Sequence, residues 1–123
     1  MKKKILVVDD NPDIILTIKM GLEELSDKYE IIGASNGNEC IEYLNDHKTP
    51  DLILLDIMMP GLNGWDTAAE IKKNRSWKEI PLVFLSAKTD SFSKTFGGLV
   101  SGDYVSKPFD LEDLYQRITT IIG

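Results

Sequence analysis

Residues 4–12 read KILVVDDNP, and the order of these residue types decides the fold. Ile5, Leu6, Val7 and Val8 form an unbroken apolar run, followed at once by Asp9 and Asp10 and then by Asn11 and Pro12. A continuous apolar run, as opposed to an alternating one, marks a strand covered on both faces, which means a strand inside a parallel sheet. Asn is a strong helix N-cap and Pro fits the first helical position, so the strand is expected to pass into a helix almost immediately. Two acids therefore fall on the carboxyl end of a buried strand.

Working outward, the same grammar repeats. Short β-rich runs occupy 4–8, 30–34, 51–57, 80–85 and 103–106, and longer segments of helical spacing separate them. The runs ILVV, LILL and PLVFL are continuously apolar and read as the central strands. Ile14, Ile15, Ile18, Leu22 and Leu25 form the inward stripe of the first helix. Residues 38–45 and 66–73 read as further helices, and Asp110 caps a last one carrying Leu111, Leu114, Ile118 and Ile121. The fourth connection, 89–101, contains Gly97 and Gly98 and few strong helix formers, so its helix is expected to be short. Five such units predict an α/β, flavodoxin-like (βα)5 doubly wound parallel sheet of order 2-1-3-4-5, with the ligand site outside the carboxyl ends of strands 1 and 3.

The chain has 123 residues, of which 42% are hydrophobic, enough for one domain over 1–123 with its own core. Lys and Arg number 14 against 20 Asp and Glu, a net charge of −6 that argues against direct nucleic-acid or anionic-membrane binding. With a single cysteine, Cys40, no internal disulfide forms, and no Cys/His cluster has zinc-ligand spacing. The first apolar run is too short for a signal peptide and no later one approaches membrane-spanning length. A cytoplasmic location is expected.

The predicted topology brings Asp9 and Asp10 from strand 1, Asp56 from strand 3, Ser86 from strand 4 and Lys107 from strand 5 to one edge. Three carboxylates converging there repel one another unless a cation sits among them. A hard divalent ion answers that problem, and Mg²⁺ (or Mn²⁺) suits few carboxylates, retained waters and a phosphate. Asp56 is then placed as a nucleophile toward a phosphoryl donor, with Lys107 and the Ser86 hydroxyl holding the transferred oxygens.

The segments ILVVDDNPDI, DLILLDIMMPGLNGWD, PLVFLSAK and GDYVSKPF resemble the receiver domain of two-component response regulators, in order and end to end. The resemblance implies Asp56 as phosphoacceptor, Asp10 as a direct Mg²⁺ ligand, Asp9 as a supporting acid acting through water, and the Met58 carbonyl as a further ligand. It implies that Ser86 senses the phosphate, that Lys107 pairs with it, and that Tyr104 is the aromatic that turns inward on switching. Met58 and Lys88 fall where the family tunes the lifetime of the phosphorylated state. Lys107-Pro108 corresponds to a peptide that is usually cis in the family. The implied partners are a sensor histidine kinase or phosphotransfer protein, a downstream effector domain or target protein, and a phosphorylation-dependent dimer.

Blander readings exist for each residue. A pair of Asp after a strand is often only a solvated cap, but Asn11 already caps here and Asp56 sits on the neighbouring strand. Tyr104 also fits as core, Met58 and Met59 as packing, Cys40 as core, and Trp65 and Trp77 as covers of apolar edges. His47 lies in a polar turn and suits neither phosphohistidine nor metal. An Asp-nucleophile phosphatase needs a general acid two residues after its nucleophile, where this chain has Met58. A non-phosphorylated docking module is a third possibility, although every key residue is present. The stretch TFGGLVSGDY departs from the family by being shorter and richer in glycine, which bears on the output surface and not on the phosphoryl chemistry.

Overall fold

Five strands, β1 (Lys3–Val8), β2 (Tyr29–Ala34), β3 (Leu52–Asp56), β4 (Leu82–Ala87) and β5 (Gly102–Lys107), pair in parallel in the order β2-β1-β3-β4-β5. The computed structural model describes residues 2–59, 61, 63–87, 102–107 and 109–123. Helices α1 (Pro12–Leu25), α2 (Gly37–Asp46), α3 (Gly64–Lys73) and α4 (Leu111–Ile122) connect and flank the strands. The predicted flavodoxin-like arrangement is thus present. The helix expected in 89–101 falls outside the described residues.

Alternation along the strands builds two cores, one on each face. Leu6, Val8, Ile53, Leu55, Leu82 and Phe84 point to one face, where they pack with Cys40 and Leu44 of α2 and Ala68 and Ile71 of α3. Ile5, Val7, Leu52, Leu54, Val83 and Leu85 point to the other, against Ile18 and Leu22 of α1 and Leu114 and Ile118 of α4. With both faces covered, the central strands cannot carry polar residues until they emerge at the carboxyl edge. At that edge, polar side chains from neighbouring strands can meet.

The helix boundaries follow local chemistry. The Asn11 side chain accepts from the Asp13 N–H at 2.9 Å with Pro12 next in line, Asn36 caps α2 through Glu39, and Asp110 caps α4 through Glu112. Asn11→Ala is expected to cost about 1 kcal/mol of stability, read as a lowered midpoint in urea with unchanged slope. Within the predicted α1 stripe, Leu25, in the last turn, is the exception: it is exposed. α3 begins at Gly64 and not at Asp66, since Asn63 caps it by accepting from the Asp66 N–H. Trp77 and Cys40 lie in the core, Trp65 packs against it, and His47 stacks on Tyr43 with ring centroids 4.3 Å apart.

Candidate functional site

The β1–β3 register pairs Val8 with Leu55, so one residue further Asp9 stands beside Asp56. Both are buried, Asp9 at 0% and Asp56 at 3% exposure, whereas Asp10 is exposed at the rim. One carboxylate oxygen from each of the three can be chosen so that all lie within 4.8 Å of one another. The Asp9 carboxylate accepts from the Asn11 N–H at 2.9 Å, which fixes its direction as the chain turns into α1. The Asp56 carboxylate accepts from the Met58 N–H at 3.3 Å.

Lys107 ends β5, yet its ammonium reaches the two central strands. It lies 2.8 Å from Asp9 Oδ2 and 3.3 Å from Asp56 Oδ1. Burial works against the charged lysine, but the hydrogen bond to Asp9 and the charges of Asp56 and Asp9 more than offset it, and its pKa stands above the ordinary 10.5. Asp56 moves the other way from an ordinary carboxylate. Burial, reinforced by the charge of Asp9, pushes its pKa up from 3.8 to about 6, with Lys107 and the Met58 N–H only partly opposing.

Three carboxyl groups thus face one ammonium, and the donor set is entirely hard oxygen. That chemistry fits a divalent cation, which Asp9, Asp10 and Asp56 could hold and which when bound would neutralise the acids and an incoming anion.

The model of the response regulator receiver domain family matches residues 5–119. The chain belongs to that family. The receiver domain is 38% identical over 96% of its length to YrkP, an uncharacterized transcriptional regulatory protein of Bacillus subtilis (strain 168), and covers 48% of it. It is 36% identical over 99% of its length to PhoP, the alkaline phosphatase synthesis transcriptional regulatory protein of the same organism, and covers 49% of that protein. The chain therefore spans about half the length of these curated relatives. Among solved structures it superposes with TM-score 0.86 on the receiver domain of a sensor histidine kinase from Pseudomonas aeruginosa, at 25% identity and covering 100% of this chain and 99% of that one. That structure carries a magnesium ion coordinated in its active site cleft.

The receiver domain brings four of the predicted site residues together: Asp9, Asp10, Asp56 and Lys107. Ser86 lies inside β4, opposite Ser106 of β5 and one residue beyond Leu85, the register partner of Asp56. Tyr104 is on β5 opposite Phe84. The side-chain placement of Ser86 and Tyr104, together with Lys88 and Pro108, falls outside what is described. Met58 does not pack, being 66% exposed, while its neighbour Met59 is buried in the core.

Two features escaped the sequence reading. One is the closer approach of Lys107 to Asp9 than to Asp56, which depends on how far a flexible side chain reaches past β4 and β3. The other is Gly64. A Cβ there would meet the Asp56 carbonyl oxygen and, at 2.6 Å, the Ile57 Cα, and the Gly64 N–H donates to the Ile57 carbonyl at 3.0 Å. Asn63 as a helix cap was the available signal, because it starts α3 at the glycine.

Proposed function

We propose that this receiver domain accepts a phosphoryl group on Asp56 and thereby switches a partner-binding surface. The observation that supports this most is the meeting of three carboxylates with Lys107 at the carboxyl edge of a sheet whose two faces are covered by buried cores. Asp56 is the nucleophile in this reading. Its oxygen forms the new bond to phosphorus while the bond to the donor breaks, the electron pair leaving with the donor. The Met58 N–H orients the carboxylate before attack. Lys107 stands where charge builds on the transferred oxygens and swings from Asp9 and Asp56 toward them.

Mg²⁺ is the proposed cofactor, with Asp10 as a direct ligand, Asp9 acting through water, and the Met58 carbonyl and Asp56 completing the protein's share. The proposed donor is a sensor histidine kinase or a phosphotransfer protein in the cytoplasm. Ser86 takes one phosphoryl oxygen, and Tyr104 relays its movement to the surface. Met58 and Lys88 set how quickly water removes the group; the solvent exposure of Met58 at the mouth of the site suits that task. By analogy with the two Bacillus subtilis regulators, the output is control of an effector domain or a separate target. Swinging such a switch from 1:99 to 99:1 takes about 5.5 kcal/mol of differential stabilisation by the phosphoryl group.

A phosphatase reading is disfavoured by Met58, which supplies no acid two residues beyond the nucleophile. The test is incubation with Mg²⁺ and acetyl phosphate followed by intact mass. Wild type is expected to gain one phosphoryl group, and Asp56→Asn none. Equal incorporation in both would remove Asp56 from the reaction, and steady turnover of the donor without accumulation would restore the phosphatase.

A further inference from the structure

At the opposite, amino-terminal edge of the sheet, Lys2, Lys3, Lys4 and Lys48 line a cavity of about 320 Å³ together with Thr49 and Asp51. We propose that this cavity is a binding site for a small di- or polyphosphate. In a chain of net charge −6, four of the 14 basic residues are gathered around one concavity. Like charges so placed repel one another, and an anion among them relieves the repulsion, just as a cation does at the acidic edge.

The lining is poor in internal counter-charge. Among the described residues that line it Asp51 is the one acid, and that carboxylate accepts from the Lys4 N–H at 2.8 Å while the Asp51 N–H donates to the Lys4 carbonyl at 2.8 Å. Its role is to tie the entry of β3 to β1. Lys3 is occupied as well, donating to the Ile122 carbonyl at the carboxyl end of α4. Among the described residues, Lys2, Lys4 and Lys48 make no ion pair within 4.0 Å, although the charge of Lys2 acts on Glu23 at longer range and Lys4 stands opposite Glu30 in the β1–β2 register. Three ammonium groups without a contact ion pair and the Thr49 hydroxyl therefore remain for a ligand.

Size and charge narrow its class. The volume is at the lower end for small-molecule pockets, about 300 to 1,000 Å³, and the lining offers charge and hydroxyl in place of an apolar wall. Several ammonium groups match an anion with several formal charges better than a monoanion. The strand rise puts roughly 17 Å between Lys4 and Asp9, about two Debye lengths at physiological salt. Occupancy here is thus electrostatically independent of the acidic edge, and the inference does not depend on the phosphoacceptor reading.

The test uses the full chain, free of divalent metal, titrated with pyrophosphate at constant ionic strength while backbone amide resonances are followed. Saturable shifts are expected at residues 2–4 and 48–51. Lys2→Gln combined with Lys48→Gln should weaken binding about tenfold or more, since two charged contacts are lost, with the remaining resonances unmoved as proof of folding. Asp56→Asn should bind as wild type does. Shifts confined to Asp9 and Lys107, equal affinity in the double variant, or the same response to sodium chloride would each overturn the proposal. Absence of saturation would do so too, and Lys48→Gln alone provides a second reading should the double variant fold poorly.

Discussion

Replacing Gly64 by alanine is expected to lower the stability of the domain by about 3 kcal/mol, the upper part of the range for overpacking. The reason lies in what the new methyl group meets. The Asp56 carbonyl oxygen and the Ile57 Cα are backbone atoms of the chain leaving β3, so neither can turn aside as a side chain would. Helix α3 must retreat, stretching the hydrogen bond from the Gly64 N–H to the Ile57 carbonyl and loosening the packing of Trp65 on Phe84, whose ring centroids are 4.9 Å apart. At about 4 °C per kcal/mol for a domain of this size, the melting temperature should fall by roughly 12 °C. Gly61→Ala is the control. Gly61 has φ +74° but nothing within 4 Å of a new Cβ, so only backbone strain of about 1 kcal/mol is incurred there. Equal losses in the two variants would show that close approach is not what requires Gly64. Because the colliding oxygen belongs to Asp56, slower phosphoryl uptake by Gly64→Ala is expected alongside the lost stability.

The contrast between these glycines marks how far sequence carries the structure. The central strands were legible because ILVV and LILL are continuously apolar, as doubly covered strands are, the sheet order followed from five βα units matching the flavodoxin-like arrangement, and the acids were legible because they interrupt such runs at one end. The caps at Asn11 and Asp110 were legible because local side-chain-to-backbone bonds decide them. The start of α3 was not, since Gly64 and Trp65 are weak helix formers and their place is set by contact with β3, distant from the propensities of 66–73. Leu25 kept the helical period but not the burial, because periodicity fixes a helix face and not what covers each turn of it. Met58 and Met59 are identical in sequence terms, and only the turn after β3 sends one to solvent and the other to the core. At the site, the identity of the four charged groups was readable, but the pairing among them was not. Lys107 comes to rest nearer Asp9 through its reach past β4 and β3, a property of the folded edge alone.

That pairing leads to an inverted stability effect for Asp56→Asn in the absence of metal. In the folded domain Asp56 holds its proton up to about pH 6, whereas in the unfolded chain the carboxyl loses it near 3.8. Between these values the folded state binds more protons, so this group's contribution to stability falls as pH rises through the window, and the loss is complete above about pH 6. Asn carries no such burden, and Lys107 keeps its partner in Asp9. With solvent screening taken into account, the variant should therefore be more stable than wild type by about 1–2 kcal/mol at pH 7.5, with the difference vanishing by pH 4. Saturating Mg²⁺ should reverse the order at pH 7.5, because wild type offers the ion three carboxylates and the variant two, and the state that binds more tightly gains more. The same proton makes apparent Mg²⁺ affinity fall by about tenfold per pH unit below about 6 in wild type. Thermal melts of both proteins, with and without Mg²⁺ at the two pH values, read all of these differences. A wild type that is the more stable protein in metal-free buffer at pH 7.5 would mean that Lys107 compensates both buried acids fully, and would remove the electrostatic reason for a cation at this edge.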